Sequence, residues 1–152
     1  MSFIMIYRNS SQYALRALTH MARGADGSRH NVADLAAAQN IPRAYLSQIF
    51  KQLVEGKILK SIKGPGGGYV LARPADKITF YDVKLCVDGP EDFEKCVVGL
   101  ELCNDQAPCP AHESWKKLKA QTRRAMCETT LAKASEAVRK KQQKNRRKDV
   151  RV

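Results

Sequence analysis

The segment from residue 95 to residue 115, KCVVGLELCNDQAPCPAHESW, contains the side chains of this chain that are best suited to chemistry. Cys96, Cys103, Cys109 and His112 fall within seventeen positions, among Gly and Pro residues that cannot sustain a long helix. Thiolates and imidazole can together hold zinc or an iron–sulfur cluster, whereas thiols alone can form disulfides or a redox switch. The choice among these four chemistries depends on the rest of the chain.

The composition is that of a globular chain, and its 152 residues are enough for one compact domain with a core. The hydrophobic fraction is 43%, and no apolar run approaches the length that spans a bilayer. The first residues, MSFIMIY, lack the basic start and the cleavage site of a secretory leader, so we expect a cytoplasmic protein. Five cysteines, an odd number, then favour free thiols or metal ligation over disulfides.

The net charge of +12 is concentrated at the two ends of the chain. Residues 1–73 contain ten Lys or Arg against three Asp or Glu, and residues 139–152 contain eight against one. Residues 74–138 are slightly acidic, with nine against eleven. The basic amino-terminal block indicates a nucleic-acid partner, whereas the basic tail is typical of a solvated, disordered segment.

Three helices are predicted in the basic amino-terminal block. Residues 9–11 can cap the first helix, and Gly24 stops it. Asn31 can cap the second helix, while the third begins with Pro42 in its first turn and ends at Gly56. The second and third helices are joined by the tight turn QNIP, an arrangement typical of a helix-turn-helix.

A basic hairpin follows the third helix. The stretch ILKSIKGPGGGYVLARP reads as a strand, a glycine-rich turn and a second strand. We therefore expect a mainly α fold with a small β-hairpin wing, that is, a winged helix-turn-helix that binds double-stranded DNA. The candidate DNA-binding residues, which can approach phosphates and base edges, are Arg43, Ser47, Gln48, Lys51, Lys60, Lys63, Gly66 and Gly67.

The carboxyl-terminal half is predicted to be helical on both sides of the cysteine-rich loop. Thr79 can cap a helix over ITFYDVKLCVDG, and a long helix without Gly or Pro starts at about His112. A narrow apolar seam along the long helix predicts packing against a second copy of the chain, and so a homodimer. The expected units are a winged helix, a connecting helix with the cysteine-rich loop, a long dimerisation helix and a basic disordered tail, over residues 1–76, 77–111, 112–138 and 139–152 respectively.

At this point the sequence resembles the bacterial iron–sulfur cluster regulators of the IscR type, a family of dimeric winged-helix transcription factors that includes NsrR and RirA. The most specific part of the resemblance is AYLSQIF…SIKGPGGGYVLARP, which is similar to the family's YLEQLF…GPGGGYxL pattern. The second part is the spacing Cys96-x6-Cys103-x5-Cys109 before a long helix, since three cysteines at this place mark the cluster-binding branch. The resemblance covers roughly residues 5–135.

The resemblance implies a ligand set and DNA contacts. The three cysteines would bind the cluster, and His112 matches the histidine that is the fourth ligand in the IscR branch. Other branches take that ligand from the first helix, where Gln12 stands here and is a poor ligand. Three Cys and one His suit a 2Fe–2S cluster, three Cys alone suit 4Fe–4S, and zinc accepts the same ligands. Gln48 and Lys63 match DNA-contacting positions, whereas some relatives have Glu at the position of Ser47.

The function expected from these features is a DNA-binding transcriptional regulator whose operator binding is controlled by an iron–sulfur cluster. The alternatives are a winged-helix regulator that uses the cysteines as a zinc site or thiol switch, and an iron–sulfur redox protein that does not bind DNA. An enzyme with a small-molecule substrate is not expected. The chain has no Ser/His/Asp constellation and no paired catalytic carboxylates, and GPGGG lacks the GKS or GKT ending of a phosphate loop.

Overall fold

The computed structural model of this chain describes residues 8–25, 27–90, 96–99 and 104–149, with the backbone alone for 146–149. Cys103, one of the predicted ligands, lies outside the described residues. Six α-helices, one β-hairpin and a short 3-10 helix follow one another in the described chain. Their order is α1 (Asn9–Met21), α2 (Val32–Gln39), α3 (Arg43–Glu55), β1 (Leu59–Ile62), β2 (Gly68–Leu71), the 3-10 helix (Ala75–Lys77), α4 (Phe80–Asp88), α5 (His112–Glu128) and α6 (Leu131–Asp149).

Helices α2 and α3 form the predicted helix-turn-helix. The side chain of Asn31 caps α2 by accepting a hydrogen bond from the backbone N–H of Ala33, as the sequence predicts. Asn40 ends α2 in the left-handed conformation, with φ 52° and ψ 53°, and the next residue, Ile41, is buried. Pro42 directly precedes the first residue of α3. The turn between the two helices is therefore set by one left-handed residue and one apolar anchor.

Strands β1 and β2 pair antiparallel and form the predicted wing, with Leu59 opposite Leu71 and Ile62 opposite Gly68. His30, which precedes α2, extends this sheet through two backbone hydrogen bonds with Tyr69, of 2.9 Å and 2.8 Å. The hairpin is thereby tied to the loop between α1 and α2. The winged-helix fold class is confirmed.

Helix α4 belongs to the same hydrophobic core as the winged helix. Thr79 and Asp82 form a complete capping box, so α4 begins where the sequence predicts. Val83 of α4 is fully buried and packs with the residues of the winged-helix core, which are Ala14, Leu15, Ala17, Leu18, Met21, Leu35, Ala36, Ile41, Leu46, Ile49, Phe50, Leu53, Ile58, Leu59, Ile78 and Leu131. The core thus spans the chain from α1 to the start of α6.

The carboxyl-terminal helix differs from its prediction, because it is divided in two. Thr129 is extended, with φ −95° and ψ 114°, and separates α5 from α6. Its carbonyl accepts a hydrogen bond from the N–H of Phe80 at 2.9 Å, and the N–H of Leu131 donates to the carbonyl of Ile78 at 3.0 Å. Since the fully buried Leu131 belongs to the core, packing and these backbone bonds override the helical propensity of the segment.

The predicted boundary at residue 138, between a dimerisation helix and a disordered tail, does not appear in the structure. Helix α6 continues through it to Asp149. Along α6, the Gln142 side chain accepts a hydrogen bond of 2.7 Å from Arg23, which lies just after the end of α1. None of the described helices is long and apolar enough to cross a membrane.

Candidate DNA-binding surface and cysteine-rich loop

The outward face of α3 carries the polar residues that the sequence predicts for DNA contact. Arg43, Gln48 and Lys51 are exposed, and Ser47 is half-buried. The hydroxyl of Ser47 donates to the backbone carbonyl of Arg43 at 2.9 Å, so its proton is already used and its oxygen can act only as an acceptor toward another group. The apolar residues Leu46, Ile49, Phe50 and Leu53 occupy the opposite side of the helix in the core. This division leaves one polar face of the helix open to solvent.

Tyr45 is a surface residue of α3, although its spacing along the helix predicts that it belongs to the buried apolar face. Its side chain is 41% exposed and packs edge-to-face on Tyr13 of α1, with ring centroids 5.7 Å apart. Tyr45 follows Arg43 by two residues, at the amino-terminal end of the recognition helix. An apolar residue at helical spacing is ordinarily counted as core, so the spacing alone misassigned Tyr45.

The tip of the wing is basic and glycine-rich. Lys60, Lys63 and Gly66 are exposed, and Gly67 is half-buried. Gly66 has φ +69°, which only glycine adopts readily. A side chain at Gly67 would overlap the backbone of the facing strand, so the tip can close only with glycine there. A bare backbone of this kind can approach nucleic acid closely.

Arg29 is a further basic residue at the wing tip, and the sequence did not single it out. Its guanidinium donates to the carbonyl of Gly66 at 3.0 Å, although 37 positions separate the two residues. The Arg29 side chain is exposed. The pairing of His30 with Tyr69 brings the preceding residue to the hairpin, which explains why no local signal reveals Arg29.

Two members of the predicted ligand set, Cys109 and His112, lie at the start of α5. Cys96 and His112 are buried, with 7% and 6% of their surface exposed, and Cys109 is half-buried. The backbone N–H of His112 donates to the carbonyl of Cys109 at 2.9 Å, so these two residues are joined at the first turn of α5. The cysteines of the described chain are not joined in disulfides, so they can lose a proton and become the thiolates that bind metals.

Asp105 contacts the predicted histidine ligand directly. The Nε2 atom of His112 lies 3.0 Å from Oδ1 of Asp105, and the Lys116 ammonium lies 2.8 Å and 2.9 Å from the two carboxylate oxygens. The hydrogen bond from Lys116, followed by that from His112, lowers the pKa of Asp105. The same pairing raises the pKa of Lys116. Asp105 is therefore held as an anion between the loop and the first turns of α5.

His112 belongs to two sets of potential metal ligands, one found by proximity in the structure and one predicted from the sequence. Among the described residues, potential ligand atoms of Asp105, His112 and Glu113 lie within 4.8 Å of one another, and Cys96 and Cys109 are not members of that group. Asp105 is already paired with the Lys116 ammonium, which competes with a cation. The sulfur atoms of Cys96 and Cys109 and the buried imidazole fit an iron–sulfur cluster or zinc in the chemistry of their donors.

A buried charged network joins the end of α4 to the start of α1. The carboxylate of Asp88 accepts hydrogen bonds of 2.6 Å from the hydroxyls of both Ser10 and Ser11, and lies 4.0 Å from the Lys84 ammonium. The side chains of Lys84 and Asp88 are 1% and 0% exposed. Ser10 and Ser11, predicted as helix caps, serve instead as donors in this network. The network therefore ties the end of α4 to the first turn of α1.

The sequence matches the Rrf2 family, described as iron-dependent transcriptional regulators, over residues 7–137. It is also 34% identical over 124 residues to an HTH-type transcriptional regulator of Haemophilus influenzae, which covers 82% of each chain. The chain belongs to the Rrf2 family. This Rrf2 protein is 32% identical over 124 residues to the regulator IscR of Erwinia tasmaniensis, over 82% of this chain and 74% of that one.

Solved structures share the fold. The structure of CymR, the global cysteine regulator of B. subtilis, has a TM-score of 0.73 and 25% identity, and covers 88% of this chain and 98% of that chain. T. potens IscR has a TM-score of 0.68 and 21% identity, with 88% of each chain covered. The resemblance to IscR-type regulators is thus confirmed at the level of the Rrf2 family. The chain is a DNA-binding helix-turn-helix transcriptional regulator.

Proposed function

We propose that this Rrf2 regulator binds operator DNA as a homodimer and that an iron–sulfur cluster, held by Cys96, Cys103, Cys109 and His112, controls the binding. The observation that carries the proposal is the placement of Cys109 and the buried His112 together at the first turn of α5. Further support comes from the description of the family as iron-dependent and from relatives named IscR. Three thiolates and one imidazole suit a 2Fe–2S cluster, and zinc is the alternative metal.

The proposed control acts through the loop that the four ligands share. A bound cluster would supply the signal, because its occupancy and its oxidation state depend on conditions in the cell. The ligands would hold the loop between α4, which packs on α1 and α3, and α5, which packs on α4. Fixing the loop fixes α5 relative to the winged helix. In a dimer this sets the separation of the two recognition helices, which has to match the spacing of the operator half-sites.

The proposed DNA contacts follow from exposure and charge. Arg43, Ser47, Gln48 and Lys51 on α3 would enter the major groove, where Gln can pair with adenine and Arg with guanine. The wing would approach the adjacent backbone or minor groove through Lys60, Lys63, Gly66 and Gly67. A regulator with these contacts works where the chromosome lies, which for a bacterial family is the cytoplasm.

Salt dependence tests the wing contact. Neutralising one phosphate contact by Lys63→Ala is expected to weaken binding to all sequences and to reduce the slope of log K against log salt by about 1. Lys117→Ala, which removes an exposed lysine of α5, is the matched control and should leave the slope unchanged. Equal slopes for wild type and Lys63→Ala would exclude the proposed phosphate contact.

The proposed dimer uses the outer face of α5. Leu118 is 47% exposed on this helix, and Trp115, one turn earlier, is half-buried. These residues belong to the apolar seam expected to pack against a second copy. Leu118→Glu is expected to shift the protein from dimer to monomer in sedimentation velocity at micromolar concentration, and Lys117→Glu, beside it on α5, should not. A monomeric wild type would contradict the proposal.

The decisive experiment is anaerobic purification with an absorption spectrum and analysis of iron and sulfide. A coloured protein with iron and sulfide in equal amounts is expected. Cys109→Ser should lose the cluster and the cluster-dependent change in operator affinity, whereas Cys127→Ser, an exposed cysteine of α5 outside the loop, should retain both. A colourless protein with stoichiometric zinc would favour the zinc alternative. Identical operator affinity with and without the cluster would refute sensing but leave DNA binding intact.

A further inference from the structure

One nitrogen of the His112 ring has a defined polar partner. The Nε2 atom of His112 lies 3.0 Å from Oδ1 of Asp105, and the imidazole is buried although the carboxylate is not. Asp105 is seven residues earlier in the loop, and both of its oxygens also accept hydrogen bonds from Lys116. Since His112 and Lys116 are one turn apart on α5, the carboxylate bridges two side chains of the same helix face.

This contact constrains the position of the proton on the ring. A neutral imidazole has one N–H donor and one lone pair, and a carboxylate can only accept. Nε2 must therefore carry the proton when it bonds to Asp105, which leaves the lone pair at Nδ1. Metals bind the nitrogen with the lone pair, and metal-binding histidines almost always donate the other N–H to a carboxylate, a carbonyl or water.

We propose that Asp105 is a positioning residue that holds His112 in the Nε2–H tautomer and thereby presents Nδ1 as the ligand atom. This inference rests on the proposed function, in which His112 is a ligand. Lys116 holds the Asp105 carboxylate in place, because it pairs with both oxygens. Asp105 and the start of α5 thus orient the His112 ring for metal binding already in the metal-free protein.

Two other roles of Asp105 make different predictions. If Nε2 were the ligand atom, the contact with Asp105 would have to break on binding, and removing Asp105 would strengthen metal binding. If Asp105, His112 and Glu113 bound a cation themselves, Glu113→Ala would weaken binding as much as Asp105→Ala. The positioning role predicts weaker binding for Asp105→Ala and no change for Glu113→Ala.

The first test needs no metal and uses nitrogen NMR of the histidine side chains in the metal-free full-length protein. The chain has three histidines, so the three ring patterns can be assigned through bonds. We expect the Nε2–H tautomer alone for His112 in the wild type and in Glu113→Ala, and a mixture of tautomers in Asp105→Ala. A wild-type ring protonated at Nδ1, or an Asp105→Ala pattern equal to that of the wild type, would overturn the inference.

The second test uses Co²⁺ as the probe, with thiolate-to-cobalt absorption reporting cysteine ligation and a competing chelator giving the affinity. Asp105→Ala is expected to bind about 10–100-fold more weakly than the wild type, with the same thiolate absorption. Equal or tighter binding by Asp105→Ala overturns the inference and leaves the proposed function standing. Absence of thiolate absorption in the wild type overturns both the proposed function and the assignment of Nδ1 as ligand, whatever the tautomer.

Discussion

Replacing Asp88 by Asn tests how the end of α4 is attached to α1. The substitution removes the negative charge that lies 4.0 Å from the Lys84 ammonium, while an amide oxygen remains to accept a hydrogen bond from Ser10 or Ser11. Both charged side chains are almost completely buried, so water cannot compensate for the loss. Breaking a buried ion pair by removing one partner lowers the free energy of unfolding by about 3–5 kcal/mol. Because one hydrogen bond is retained, we expect Asp88→Asn to lower it by about 3 kcal/mol.

Urea denaturation followed by far-ultraviolet circular dichroism, at one fixed protein concentration, measures this loss. With a slope of about 1–3 kcal/mol/M, a loss of about 3 kcal/mol lowers the midpoint by about 1–3 M. Glu128→Gln is the matched control, because Arg124 and Glu128 are also four residues apart on a helix but both are exposed. We expect the control to lower the free energy of unfolding by less than about 0.5 kcal/mol, because exposed ion pairs of this kind contribute little to stability.

The double variant Lys84→Met/Asp88→Asn separates the charge from the packing. Replacing both members of a buried ion pair by uncharged residues often leaves the stability unchanged. The double variant should therefore have a free energy of unfolding at least about 1 kcal/mol higher than that of Asp88→Asn. If Asp88→Asn cost no more than Glu128→Gln, or if the double variant were less stable than Asp88→Asn, the burial of a mutually compensating charge pair would be the wrong explanation for this network.

Three further predictions concern backbone space and histidine protonation. Gly56→Ala should lower the free energy of unfolding, measured by urea denaturation, by about 1–3 kcal/mol, because the new methyl group would overlap Sγ of Cys86. Gly67→Ala should weaken operator binding in electrophoretic mobility shift assays at least about tenfold while leaving the helical circular dichroism unchanged, because it distorts the wing turn. Burial lowers the pKa of both His20 and His30, so the unfolded chain binds more protons just below pH 6.5, and the urea midpoint should fall as the pH falls through that value.

Each of these predictions has its own control. Gly56→Ala/Cys86→Ala should regain part of the lost stability, and a loss that persists undiminished would show that the overlap is not the cause. Normal operator affinity for Gly67→Ala would contradict the close approach at the wing. His20→Gln/His30→Gln should flatten the dependence of the urea midpoint on pH, and an unchanged pH dependence would assign it to other groups.

Local chemistry could be predicted from sequence wherever the partners are a few residues apart. The capping box of Thr79 and Asp82 and the cap at Asn31 follow from side chains that reach backbone N–H groups two or three positions on. The hairpin follows from a glycine-rich turn that is flanked by β-branched and aromatic residues. These features depend on short-range geometry, which residue type and spacing largely specify.

The parts that were missed depend on residues far apart in the chain. The break at Thr129 is set by backbone bonds to Ile78 and Phe80, about fifty positions earlier. Asp88 contacts Ser10 and Ser11 across 78 and 77 positions respectively, whereas Ser at a helix start ordinarily indicates a cap. The local pattern in each case was compatible with the simpler prediction, and only packing decided against it.

For the candidate site, the sequence by itself determined the types and order of the donors, the polar face of the recognition helix and the basic wing. The tertiary structure alone decided that Arg29 joins the wing tip and that Asp105 contacts Nε2 of His112. The physical reason is that hydrogen bonds and metal bonds both need a lone pair on a particular atom. A sequence specifies which side chains can bind a metal or a phosphate. Which of their atoms has a lone pair to offer depends on hydrogen bonds with groups that folding brings together.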